Sequence, residues 1–151
     1  LKKAKKIAFA LLVIFALLQL YQPARNEDYG QVSAIHIERM VPMDDTVRTI
    51  LRESCYDCHS NNTRYPWYAN VQPVRAFLET HIKEGKEKLN FSEFGDYTVR
   101  RQQSKLRSIG EQVETSQMPL ASYTWIHGSA KLSQSERAVV DRWVEASLER
   151  Y

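Results

Sequence analysis

The run Cys55-Tyr56-Asp57-Cys58-His59 limits this chain more than any other feature, because it holds the only two cysteines among 151 residues, three positions apart. That count excludes a disulfide framework of the kind that staples small secreted domains. Two thiols at this spacing can add across the two vinyl groups of one haem, and the adjoining imidazole then falls beneath the iron as an axial ligand. Other uses of the pair explain less. A thioredoxin-like dithiol expects a βαβ setting, zinc needs four ligands, and a structural disulfide uses the thiols alone. The expected cofactor is therefore one covalent haem c on Cys55 and Cys58, with His59 as a metal ligand.

The N-terminal region corroborates this, because covalent attachment of haem c is an extracytoplasmic process. Lys2, Lys3, Lys5 and Lys6 precede the unbroken hydrocarbon run from Ile7 to Leu18, the pattern of a secretory signal with its charged end held in the cytoplasm. Neither a small-x-small cleavage site nor a lipobox cysteine is present in the next stretch, Gln19-Leu20-Tyr21-Gln22-Pro23-Ala24-Arg25. Residues 1–21 are expected to be an uncleaved signal anchor, a short transmembrane helix lengthened by snorkelling lysines and Tyr21. A removed signal peptide is the alternative, and either one exports the rest of the chain. The expected location is a bacterial inner membrane, crossed once, with the haem domain in the periplasm.

Of the 21 basic and 18 acidic residues, six and three lie in residues 1–43, so 44–151 is formally neutral with 15 of each. The basic excess is topogenic. No nucleic-acid partner is expected, since neutralising phosphates requires a concentrated basic stripe.

Residues 22–43, with Pro23, Gly30 and Pro42 and no sustained period, read as a tether in which Ile35, His36 and Ile37 form a short extended stretch. Residues 44–151 read as an all-α domain. Asp44 or Asp45 caps a first helix that buries Val47, Ile50 and Leu51 and runs into Cys55. A second, about 71–89, buries Val74, Phe77, Leu78, Ile82 and Leu89, weakened in its middle by Gly85. A third, about 97–116, aligns Val99, Leu106, Ile109 and Val113 and stops before Met118-Pro119. The fourth starts with the capping-box pattern Ser133-Gln134-Ser135-Glu136 and buries some of Val139, Val140, Trp143 and Leu148.

Iron's sixth position needs a second ligand or stays open. Met118, in a loop between the third and last helices, is the expected one, since His/Met ligation suits a haem of raised potential. His81, His127, Met40 and Met43 are the other donors, and His36 is assigned to the tether. Arg64 and Trp67 are expected to bind the haem propionates, with a turn around Pro66 packed on the core as the alternative.

The blocks CYDCHSNNTRYPWY (55–68), Glu84-Gly85-Lys86, Leu89-Asn90-Phe91-Ser92, MPLASY (118–123) and IHGSAKLS (126–133) resemble a family of small exported single-haem proteins named haem-binding domain. The resemblance runs over about 45–148. Gly85-Lys86 stands where the family has Gly-Arg. More broadly the pattern is similar to class I cytochromes c, which implies a cytochrome c-like helical fold, a Met-Pro loop supplying the distal ligand, and crossing first and last helices. A six-coordinate haem without an open site suits single-electron transfer, so redox donor and acceptor proteins, or a membrane respiratory complex, are the expected partners. Substrate chemistry of its own is not expected. The alternative is a gas or redox sensor, or a peroxidase-like enzyme, in which Met118 is labile.

Overall fold

A computed structural model of the chain describes residues 2–28 and 32–151, and among them there are helices and no strand. Gly30, one of the residues that mark the tether, lies outside the described residues. The all-α reading holds, with several boundaries moved.

Helix α1, Lys2–Leu18, buries none of its residues. Gln19 ends it by turning its side-chain amide back to the Phe15 carbonyl at 3.0 Å. The apolar part, Ile7 to Leu18, covers about 18 Å at 1.5 Å per residue, against about 30 Å of bilayer hydrocarbon. Among the described residues no helix is long and apolar enough to cross a membrane. The transmembrane helix expected over 1–21 is corrected accordingly to a shorter apolar helix.

The residues just after α1 are fastened to the domain. Gln19 and Gln72 exchange side-chain and backbone hydrogen bonds at 2.9 and 3.3 Å, and Gln72 Nε2 donates to the Tyr21 carbonyl at 2.6 Å. The Arg75 guanidinium donates to Gln22 Oε1 and the Pro23 carbonyl. Asn26 donates to the Ser60 carbonyl at 2.8 Å and accepts from Lys86 Nζ at 2.6 Å. Residues 35–43 are not tether either. In the stretch Ile35–Ile37 only His36 has an extended backbone: Ile35 lies in a turn, and His36 caps a one-turn helix α2, Ile37–Met40, its Nδ1 accepting from the Glu38 amide at 3.2 Å. Ile37 is 0 % exposed and shares the core with Val41. The folded unit thus reaches back before residue 44, because an isolated Ile-x-x-x-Val pair gains more from the core than from solvent.

Helix α3, Asp45–Ser54, starts as expected, with Asp44 Oδ1 accepting from the Val47 amide at 2.8 Å. It stops before the cysteines, and the motif forms its own turn, α4, Tyr56–His59. Helix α5, Val74–Lys88, buries Arg75, Ile82 and Gly85; of the expected stripe Ile82 is buried and Leu78 half-buried, while Val74 and Phe77 in the first turn are exposed. Gly85 meets the Cys58 carbonyl, and buried Ile82 and half-buried Leu78 lie within a quarter turn of it on the same side of the helix. A 3₁₀ stretch, Phe91–Asp96, then sends Phe91 and Phe94 into the core.

Helix α6, Val99–Glu114, buries Leu106, Ile109 and Val113 as its period predicts, with Val99 exposed at the first turn. A short α7, Ala121–Ile126, precedes α8, Gln134–Leu148, whose capping box is formed by Ser133 and Glu136. Val140, Trp143 and Val144 are buried, and α8 packs on α6 and α3. Trp143 Nε1 donates to the Pro42 carbonyl at 3.1 Å, which ties the last helix to the residues before the first domain helix.

If residues 35–43 belong to the core, Ile37→Ala lowers stability by about 2–5 kcal/mol, the cost of a large-to-small change at a fully buried site. Urea unfolding of the two chains measures this; a free tether would give a difference near zero.

Candidate haem site

Cys55, Cys58 and His59 occupy the wall of two adjoining cavities between α4, α5, α6 and the loop after α6. One, of about 410 Å³, is lined by Cys55, His59, Leu89, Phe91, Ile109 and Met118 among others. The second, of about 200 Å³, adds Cys58, His81, Glu84, Gly85, Pro119 and Tyr123. Ser54, Cys55, His59, Lys88 and Met118 line both.

The imidazole is oriented from behind. His59 Nδ1 pairs with the Leu89 carbonyl at 3.0 Å, which makes Nδ1 the protonated nitrogen and leaves the Nε2 lone pair for a metal. Burial holds His59 below the ordinary imidazole range, with the backbone bonds to Leu89 and Gly85 working the other way, so the ring is neutral near pH 7. The Leu89 carbonyl is itself positioned by a polar clasp. Asn90 Nδ2 donates to Asn61 Oδ1 at 2.9 Å, Asn90 Oδ1 accepts from the Ser92 amide at 3.0 Å, and Ser92 Oγ accepts from the Asn61 amide at 3.0 Å. The blocks Ser60-Asn61-Asn62 and Leu89-Asn90-Phe91-Ser92, far apart in sequence, are therefore one device for aiming His59.

Gly85 sets the depth of the site. A Cβ there would stand 2.6 Å from the Cys58 carbonyl oxygen, so only glycine lets α5 lie against α4. The apparent weak point of the second helix is its contact with the motif.

The thiols are half-buried, free and far from thiolate character. Burial pushes Cys55 up to about 12, with the neighbouring Cys58 adding to it, and Cys58 up to about 11, with Asp57 adding to it. A redox dithiol needs a lowered thiol pKa, so this environment argues against the thioredoxin-like use of the pair. It fits two thiols set in an apolar wall against a flat macrocycle.

Met118 lines both cavities. Its amide donates to the Gln112 carbonyl at 3.0 Å, as does that of Gln117 at 2.9 Å, and Ser116 takes a left-handed φ of 58° to make the turn out of α6. Of the other donors that the sequence offers, His81 lines the second cavity, its Nδ1 paired with the Phe77 carbonyl at 2.9 Å. His127 has both nitrogens engaged, Nε2 with Tyr68 Oη at 2.8 Å and Nδ1 with the Tyr123 carbonyl at 3.1 Å. His36 is buried beneath α2, and Met40 and Met43 line neither cavity.

Arg64 and Trp67, the expected propionate partners, line neither cavity. Arg64 is spent on carboxylates nearer to it, with Nε on Asp57 Oδ1 at 3.1 Å and Nη1 on Glu53 Oε1 at 2.9 Å. Trp67 stands in solvent. The cations that do face the larger cavity are Lys88 and Lys105, which come from α5 and α6, with the Lys105 ammonium donating to the Lys88 carbonyl. Lys105, Ile109 and Gln112 recur at helical spacing, a signal that a wheel of α6 carries. Tyr123 has no role that the sequence alone reveals. It donates to Asp57 Oδ2 at 2.7 Å and stacks on His127 at 4.2 Å. Asp57, between the two cysteines, thus holds both the Arg64 loop and α7.

A family model described as haem-binding domain matches residues 13–146. That match starts inside α1 and includes residues 35–43, in keeping with their place in the core. Cytochrome c peroxidase Ccp of Escherichia coli (strain K12) is 27% identical over 117 residues, which cover 74% of this chain and 25% of that protein. The chain therefore spans about a quarter of that relative's length. No solved structure matches it.

The raised thiol values carry a pH dependence. A group that is more easily kept protonated when folded contributes stability that is complete below its unfolded pKa, near 9, and is lost as pH rises toward 11–12. In chain made without haem, the urea midpoint is expected to fall from pH 8.5 to pH 11, where roughly the thiol range is crossed, and to fall less in Cys55→Ala/Cys58→Ala. Equal slopes for the two chains would show that the thiols are not shielded.

Proposed function

The chain belongs to the haem-binding domain family, and on that premise we propose that it is a monohaem c-type cytochrome, anchored in a membrane by α1, that passes single electrons between protein partners. The observation that carries this reading is Met118 in the same cavity walls as Cys55 and His59. Cys55 and Cys58 would supply the thioether links to the haem, and His59 Nε2 and the Met118 thioether would be its iron ligands. The haem, when bound, supplies the one-electron couple. The protein's part is to keep His59 neutral and aimed through the Leu89 carbonyl, to keep water out with Leu89, Phe91, Ile109 and Val113, and to set Lys88 and Lys105 where propionate charge is to be neutralised.

Anchoring rests on α1. It is apolar round its whole circumference from Ile7 to Leu18 and has no buried residue, so lipid is the solvent that suits it. Its four lysines can keep their charge at the polar boundary while their stems extend the apolar length. The proposed location is the periplasmic side of a bacterial inner membrane. There the partners are a redox donor and acceptor, including subunits of a respiratory complex, held within reach by the shared surface.

One observation favours a second reading, reduction of peroxide at a haem whose Met118 leaves. His81 and Glu84 line the smaller cavity beside Met118, which places proton-transfer groups on that side. The relative from Escherichia coli is named a cytochrome c peroxidase.

The two readings separate on the sixth ligand. In the oxidised protein a thioether-to-iron band in the near infrared is expected, and Met118→Ala should abolish it and lower the potential by on the order of 0.1 V, within the roughly 0.8 V range set by axial ligands. A band that survives the substitution removes Met118 from the site. Carbon monoxide should bind the reduced wild type slowly and incompletely, and Met118→Ala rapidly; fast stoichiometric binding to the wild type would instead select peroxide reduction or sensing.

A further inference from the structure

Several of the largest apolar side chains lie outside the core and outside the cavities. Trp67 is 80 % exposed, Trp125 87 % and Phe77 58 %, with Val71, Val74 and Ile126 also exposed. Grouped exposure of this kind marks a surface that meets something apolar. Their grouping follows from chain position and hydrogen bonds. Trp67 starts the 3₁₀ turn Trp67–Asn70, Val71 caps its end, and Val74 and Phe77 lie in the first turn of α5. Trp125 and Ile126 end α7, which is held to that turn by the 2.8 Å bond between His127 and Tyr68.

The place where α1 leaves the domain lies within this face. Gln19, at the end of α1, is bonded to Gln72 through both backbone groups, and Gln72 sits between Val71 and Val74. Whatever α1 enters, these residues meet it next. Charge points the same way. From Cys58 to Leu78 the chain has no carboxylate, and neither has Thr115 to Ser135, although it carries 18 in all. The two segments that build the face are therefore free of the group that an anionic headgroup layer repels. Exposed tryptophan, apolar in body with one polar N–H, partitions to that layer.

We propose that the face of Trp67, Val71, Val74 and Phe77, flanked by Trp125 and Ile126, rests on the phospholipid headgroup interface beside α1. This deepens the anchoring proposed above and rests on it. The contact fixes more than distance. The Phe77 ring lies against that of His81, centroids 4.2 Å apart and planes tilted by 46°, and His81 and Tyr123 line the smaller cavity, so the mouth of the haem site is held near the membrane plane. The electron partner that this orientation favours is one embedded in the same membrane.

The test uses the full chain with its haem in nanodiscs of phosphatidylcholine and phosphatidylglycerol, with and without bromine near the headgroup end of the acyl chains. The readout is the ratio of tryptophan emission in the two lipids, in which quenching by the haem cancels. In the wild type, brominated lipid is expected to reduce emission by about half, consistent with side chains about 5–10 Å into the interface. Trp67→Phe and Trp125→Phe each remove part of that quenching, and the double variant, left with buried Trp143, shows none. Both substitutions are at exposed sites that the fold does not use. A wild type that stays with the nanodiscs yet is not quenched would turn this face to water or to a protein partner and overturn the proposal alone, as would quenching unchanged by either substitution. A chain that does not co-elute with nanodiscs would remove the anchoring and this inference together.

Discussion

Helix α5 comes so close to the Cys58 carbonyl that residue 85 has no room for a side chain, and the geometry of the site descends from that approach. With Gly85 against the motif, Leu89 falls one turn further along on the same side, where its carbonyl meets His59 Nδ1. That bond decides which imidazole nitrogen keeps a free lone pair toward the cavity. Glycine inside a helix costs about 1 kcal/mol against alanine, so helix propensity and site geometry pull in opposite directions here, and geometry prevails. The Asn61, Asn90 and Ser92 clasp then holds the two chain segments in register.

How much of this is legible in the sequence depends on how local each signal is. The Cys55-x-x-Cys58-His59 spacing, the Asp44 cap, the Ser133–Glu136 box and the α6 stripe all act within a turn or two of the chain, and the structure shows the caps as read and the stripe from Leu106 to Val113, without Val99. The place of Met118 in a loop after α6 is legible because a Met-Pro pair after a helix end is also a local pattern. The face of α5 is legible only in part: Ile82 of the expected stripe is buried, Val74 and Phe77 at its start are exposed, and the close contact with the motif is marked by a glycine. Ile37 and Val41 look like tether because two apolar residues in a polar stretch form no period of their own.

The charged groups show the same limit. Arg64 invites assignment to the cofactor because it follows the motif closely, yet Asp57 and Glu53 lie nearer across the turn and claim it. Lys88 and Lys105 reach the cavity from two helices that only the fold brings together. Which partner a charged side chain meets is set by tertiary distance.

Asp57 also reaches across to Tyr123, and this link bears on the opposite side of the cavity. The loop carrying Met118 is pinned at one end by the Gln112 carbonyl and at the other by the Tyr123 hydroxyl on Asp57, a residue of the cysteine motif itself. A thioether held at both ends acts at an effective concentration that no freely moving side chain reaches. The two pins fix where the thioether stands in the cavity wall, and loosening either would displace it without touching the sulfur.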